Sequence, residues 1–165
     1  FVVRTNRGSY TARSVLLTIG RRGTPRKLGV PGEETHKVVY RLIDAAQYAG
    51  QAVLVVGGGD SALEAAIALA EEDGTGVILS CRSAAFSRVK QKNRSRLEEM
   101  QQAGRLRVML NSKVKVIRET EVEIDFEGQV EVHRNDVVIV CAGGELPTPL
   151  LKKMGVNFET KYGSM

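Results

Sequence analysis

Between Val53 and Ala70 the chain reads VLVVGGGDSALEAAIALA, and within it Gly57, Gly59 and Ala62 form the spacing G-x-G-x-x-A. Those residue types at that spacing suit the binding of a pyrophosphate. The first glycine permits a tight turn, the second lets a phosphate approach the backbone, and the small third residue lets a helix pack closely on a strand. Asp60 and Ser61 stand where they could cap the first turn of that helix, whose unpaired amides and partial positive charge stabilise an anion. A glycine-rich turn can also be only a tight connection, so the flanking elements must decide.

The flanks carry the pattern that such a site needs. Ala52 to Val56 is a continuous apolar run suited to a strand buried on both faces. Ala62, Leu63, Ala66, Ile67, Leu69 and Ala70 then recur at helical spacing until Asp73-Gly74 stops them, and Gly76 to Cys81 reads as the next buried strand. Good helix formers fill Ser87 to Ala103 and end at Gly104, after which Leu106 to Leu110 is again strand-like, completing a second crossover. From Val114 to Val132 apolar and polar residues alternate, with turns expected near Glu119 and at Glu127-Gly128, which predicts a three-stranded antiparallel meander. Asp136 to Ala142 returns to a buried strand, ends at Gly143-Gly144, and leads through Pro147 and Pro149 into a short helix. The expected fold class is α/β: a Rossmann-like parallel sheet with β-α-β crossovers and an antiparallel β-meander.

Before this unit, Phe1 to Arg4 and Ser14 to Ile19 read as two strands around a turn at Asn6-Arg7-Gly8. Gly20 to Gly32 holds too many glycines and prolines for an element interior and reads as a linker. Leu42 to Ala49 is compatible with a short helix ended by Gly50.

The end of the second buried strand bears on which dinucleotide would bind. An Asp or Glu there, about 20 residues beyond the glycines, takes the ribose hydroxyls in an NAD site. Here the strand ends Ser80-Cys81-Arg82-Ser83, followed by Arg88 and Lys90. A guanidinium can accept the 2′-phosphate of NADP(H) in a fork geometry, so NADP(H) is the expected cofactor, with NAD(H) as the alternative. The alternative is that Arg82 is merely an exposed residue at a strand end.

Composition sets the outer limits. The chain has 165 residues, 24 Lys+Arg against 19 Asp+Glu, a net charge of +5 and 42% apolar residues, which argues against disorder, collagen or coiled coil. Its apolar runs are far shorter than the roughly 20 residues needed to cross a bilayer. No basic head and apolar stretch precede a small-residue cleavage site, so no export signal is expected. Cys81 and Cys141 form no Cys-x-x-Cys and read as reduced buried thiols of a cytoplasmic protein. His36 and His133 lie in no motif and read as surface residues. Positive charge concentrates in Arg82, Arg88, Lys90, Lys92, Arg94, Arg96, Arg105 and Arg107, set against Glu98 and Glu99. Such a run is either a solvated face or the contact surface of a non-enzymatic basic module for nucleic acid or an acidic protein. The glycine turn makes nucleic acid the less expected partner.

Taken together, the motifs resemble the FAD-dependent pyridine nucleotide-disulphide oxidoreductases, in their thioredoxin-reductase-like branch. LLTIGRRGTPRKLGVPGEE resembles the segment in which an FAD-domain strand passes into the linker to the NADPH domain. VVGGGDSALEAA resembles that domain's nucleotide turn, and DVVIVCAGGELPTPLL the segment that returns towards the FAD domain. The resemblance implies cofactor contacts at Gly57, Gly58, Gly59, Asp60, Ser61, Ala62, Glu64, Arg82, Ser83, Arg88 and Gly143. Glu64 matches the family carboxylate near the nicotinamide, although an exposed helical Glu would look the same. Arg82 and Phe86 match the motif around the 2′-phosphate, whereas Ser83 and Ser87 stand where that motif usually has arginines, and Arg88 comes one position later.

The redox dithiol of bacterial thioredoxin reductases is missing, since Val38 to Gly50 reads VVYRLIDAAQYAG. The resemblance therefore points to dithiol-free relatives, namely ferredoxin-NADP reductases of this fold and bacillithiol-disulfide-reductase-like proteins. It also implies a fragment: residues 1–28 as remnant strands of an FAD-binding domain and linker, 29–146 as an NAD(P)H-binding domain, and 147–165 as a return segment. In an intact relative, NAD(P)H passes a hydride to FAD. The fragment is expected to bind the nucleotide without turning over.

Overall fold

The computed structural model describes residues 1–16, 18, 24–87 and 89–157. Two compact units emerge, Pro25–Gly144 and a smaller one formed by Phe1–Thr24 with Glu145–Met165.

In the smaller unit, β1 (Val2–Thr5) pairs antiparallel with β2 (Gly8–Thr11), and Thr5 faces Gly8 across the Asn6-Arg7 turn. Among the described residues of the expected partner strand at Ser14–Ile19, none is in a strand. Ser14–Leu16 and Thr18 lie outside any strand, and Leu17 and Ile19 fall outside the described residues. Thr5 explains the difference, because its Oγ1 accepts the Arg7 amide and donates to the Gly8 carbonyl, both at 3.1 Å, closing a hairpin too tight to wait for a more apolar partner.

The larger unit is a three-layer structure. Its parallel sheet contains β3 (Val38–Val39), β4 (Ala52–Val56), β5 (Gly76–Ser80), β6 (Leu106–Met109) and β10 (Val137–Val140), in the order β3-β10-β4-β5-β6. On one face lie α1 (Asp60–Glu71) and α2 (Gln91–Gln102); on the other lies the meander of β7 (Ser112–Ile117), β8 (Glu121–Phe126) and β9 (Gln129–Arg134). Successive strand residues point to opposite faces. Val53 and Val55 accordingly join the helix-side core, while Leu54 and Val56 join the meander-side core. Val137 and Ile139 divide from Val138 and Val140 in the same way, which is why both strands read as unbroken apolar runs.

Helix α1 buries Ala62, Leu63, Ala66, Leu69 and Ala70, and its alanines let the helix lie close to the sheet. Helix α2 buries only Leu97 and starts at Gln91, four residues later than expected from Ser87. In the meander, Glu127 and Gly128 have φ of 53° and 83° between paired Phe126 and Gln129, the two left-handed residues that a tight hairpin turn of this twist requires. The segment expected as a helix at Leu42–Ala49 is a single 3-10 turn, Ala45–Tyr48, and α3 (Thr148–Lys153) follows Pro147 in the smaller unit. Among the described residues no helix is long and apolar enough to cross a membrane.

A buried carboxylate organises the segment entering this unit. Glu33, 7% exposed, accepts the Leu28 and Gly29 amides at 2.6 and 2.7 Å and the Tyr40 hydroxyl at 2.9 Å. Burial pushes its carboxyl up, but those bonds and the nearby Lys27 charge outweigh burial and hold it below the usual carboxylate range.

Candidate functional site

The C-terminal ends of β10, β4 and β5 lie side by side and carry Cys141, Gly57 and Cys81. Backbone bonds fix them: Cys141 donates to the Val56 carbonyl at 2.7 Å, Gly57 to Ser80 at 3.0 Å, and Cys81 to Met109 at 2.9 Å. A ligand crevice is expected at this end of an open parallel sheet. A groove of about 430 Å³ lies at the other end, lined in part by Ala52, Gly76, Arg105 and His133.

The three glycines have separate physical reasons. A Cβ on Gly57 would come within 2.5 Å of the Cys141 carbonyl oxygen and 2.9 Å of the Ala62 Cβ, which accounts for both the glycine and the small residue five positions on. A Cβ on Gly58 would lie 2.5 Å from the Cys81 Sγ. Nothing lies within 4 Å of a Cβ on Gly59, so protein packing does not require that glycine. Gly59 is the N-cap of α1, with φ −106° and ψ 176° and no side-chain cap, and it leaves open space before the first amides of the helix. That is the space a phosphate needs.

Asp60 does not cap its own helix as expected. Its Oδ1 accepts the Lys90 amide at 2.9 Å and the Asn93 Nδ2 at 2.7 Å, so α1 supplies the cap of α2 instead. The Lys90 bond, with the Asn93 bond and the Lys90 charge, holds the Asp60 carboxyl below its usual range against a smaller effect of burial. Ser61 and Glu64 are exposed, and the Glu64 Oε1 accepts from the same Asn93 Nδ2 at 3.0 Å. Arg82 and Ser83 are exposed immediately after β5, and Arg88 lies outside the described residues. Further along that loop the Phe86 carbonyl accepts from the Arg94 guanidinium of α2. Gly143, with φ +82°, gives its carbonyl to the Arg26 amide at 3.0 Å.

No acid replaces Arg82 at the strand end. Ser80 is buried and its Oγ lies 2.7 Å from the Ser112 Oγ on β7. Cys81 is buried and Cys141 half-buried, both as free thiols. They flank β4 on either side, about 9–10 Å apart by inter-strand spacing, whereas a disulphide requires Cα atoms within about 7 Å. His36 is exposed as expected, but His133 is not a surface residue: it is half-buried with Nε2 3.0 Å from Glu131. The basic run is partly neutralised, since Arg96 pairs with Glu71 and Glu99, Arg105 with Asp73, and Arg107 with Glu131. Among the described residues no group of three or more His, Cys, Asp or Glu side chains could hold a metal. Sequence reasoning missed Asn93, whose only signal was its place in a predicted helix.

The profile of the family described as pyridine nucleotide-disulphide oxidoreductase matches residues 1–164. The chain belongs to that family. A ferredoxin--NADP reductase of Ignicoccus hospitalis is 33% identical to it over 168 residues, covering 97% of this chain and 53% of the relative. The structure of bacillithiol disulfide reductase Bdr from Bacillus cereus superposes with a TM-score of 0.78 at 27% identity, over 82% of this chain and 42% of that one. The thioredoxin reductase of T. acidophilum, at 24% identity, shares the fold with a TM-score of 0.80 over 96% of this chain and 53% of its own. The α/β architecture expected from the sequence is thus the thioredoxin-reductase-like one. Our chain spans about half the length of the pyridine nucleotide-disulphide oxidoreductases it matches.

Proposed function

We propose that this chain is the NADP(H)-binding part of a flavin-dependent oxidoreductase, and that residues 1–28 and 147–165 are strips of the FAD-binding domain of the same protein. The carrying observation is the open approach at Gly59: the one glycine of the turn without a packing reason stands before uncapped helix amides.

Each residue has a definite task in this reading. The first amides of α1 bind the pyrophosphate, helped by the positive end of the helix. Gly57 and Ala62 let β4 and α1 approach closely enough to form the turn. The Arg82 guanidinium, with Ser83 beside it, holds the 2′-phosphate, where an acid would repel it. Glu64 offers a carboxylate acceptor to the carboxamide at the nicotinamide end. Bound NADPH supplies a hydride and FAD in the intact protein accepts it, so this chain contributes binding and orientation rather than an acid or base. The free thiols suit a reducing, cytoplasmic setting.

Calorimetric titration of the chain with NADPH and with NADH, alongside an absorbance scan for flavin, tests the reading. Tighter binding of NADPH without flavin is the expected result. Failure to bind either nucleotide, repeated in the full-length protein, overturns it.

A further inference from the structure

Two consecutive residues in the first turn of α2 bond to two different segments, α1 and the loop after β5. Asn93 donates one amide nitrogen to two carboxylates of α1, Asp60 at 2.7 Å and Glu64 at 3.0 Å. Arg94 donates to the Phe86 carbonyl, in the loop that begins with Arg82 and Ser83. Helix α2 has no side-chain cap of its own and no acid in its first turn, and the Asp60 carboxylate fills that place. The first turn of α2 therefore joins the loop after β5 to the exposed face of α1.

From this we propose that Asn93 is a positioning residue that orients Glu64 for the nicotinamide half of the bound nucleotide. An exposed glutamate on a helix otherwise samples several rotamers, and fixing it beforehand removes an ordering cost from binding. Asp60 keeps the Lys90 amide when Asn93 is lost, whereas Glu64 loses its Asn93 contact. The effect of losing Asn93 falls on the nicotinamide end and spares the adenosine end. This inference rests on the dinucleotide reading of the glycine turn and on the proposed place of Glu64 at the nicotinamide end.

The test compares two ligands on the same chain: NADPH, and adenosine 2′,5′-bisphosphate, which has no nicotinamide. Asn93→Ala is expected to weaken NADPH about fivefold, the size of one side-chain hydrogen bond, and to leave the bisphosphate within about twofold. In a Glu64→Ala background the same change is expected to add less than about twofold, because the pair acts as a unit. Equal weakening of both ligands by Asn93→Ala, or independent losses in the double variant, overturns the proposal while leaving the nucleotide site intact. Glu64→Ala alone, on an exposed side chain, gives a second check: it must weaken NADPH more than the bisphosphate, and failure to do so overturns the positioning role even if Asn93→Ala does not fold. A wild-type chain that binds neither ligand overturns the dinucleotide reading and this inference with it.

Discussion

The Sγ of Cys81 occupies the space beside Gly58 that a Cβ would need, 2.5 Å from where that atom would sit. The thiol is 4% exposed at the end of β5 and has little room to retreat. Gly58→Ala is therefore expected to lower stability by about 1–3 kcal/mol, the range for overpacking a closed site. Thermal or urea unfolding measures it. Combined with Cys81→Ala, the cost is expected to fall well below the sum of the single changes; additive losses would show that the two positions do not compete for space.

Gly59 gives the opposite outcome. Its backbone is extended and its surroundings are open, so Gly59→Val is expected to cost at most about 1 kcal/mol, the preference of an N-cap for Gly over an apolar residue. NADPH affinity is expected to fall by at least about tenfold, because the side chain enters the phosphate approach. A variant that melts normally and still binds NADPH would refute the placement of the pyrophosphate.

Arg82→Ala separates the two nicotinamide dinucleotides. Removing a charge-assisted hydrogen bond is expected to weaken NADPH about tenfold or more while NADH stays within about twofold. Equal losses for both would remove Arg82 from the 2′-phosphate site.

Glu33 sets an acid limit on the entry segment. The Leu28 and Gly29 amides and the Tyr40 hydroxyl hold its folded pKa below the ordinary value, so the unfolded chain binds the proton more readily. Its stabilising contribution is fully present above the ordinary carboxylate pKa of about 4.3 and is lost as pH falls through the lower folded value. Stability measured against pH should drop in that window, and Glu33→Gln should flatten the drop while lowering stability at neutral pH. An unchanged slope in the variant would assign the acid sensitivity to other carboxylates.

Local periodicity made much of this molecule legible. The glycine turn, both crossovers and the meander follow from apolar spacing and turn residues between Ala52 and Val140. What escaped depends on contacts distant in sequence. The Asp60 carboxylate serves a helix 30 residues away through the Lys90 amide, and nothing local distinguishes that role from capping its own helix. Asn93 was hidden for the same reason, since its two partners lie on α1. His133 looked like a surface residue because alternation in β9 suggests that Val130 and Val132 face inward, whereas they are 57% and 56% exposed and Glu131 and His133 take the half-buried face. In the first hairpin, apolar content favoured Ser14–Ile19, while a hydroxyl on Thr5 closed the chain earlier.

The division of β4 between two cores has a consequence for how the parallel sheet finds its alignment. Slipping β4 by one residue would exchange Val53 and Val55 with Leu54 and Val56, apolar for apolar, so hydrophobicity scarcely penalises the error. The penalty comes from the strand's ends: Ala52 donates to the Asp136 carboxylate at 2.8 Å, and Gly57 must meet the Cys141 carbonyl where no side chain fits. The Gly57 end of the turn assigned to phosphate is thereby also an alignment stop for folding, and a mutation of Gly57 threatens the sheet before it threatens the ligand, the reverse of Gly59.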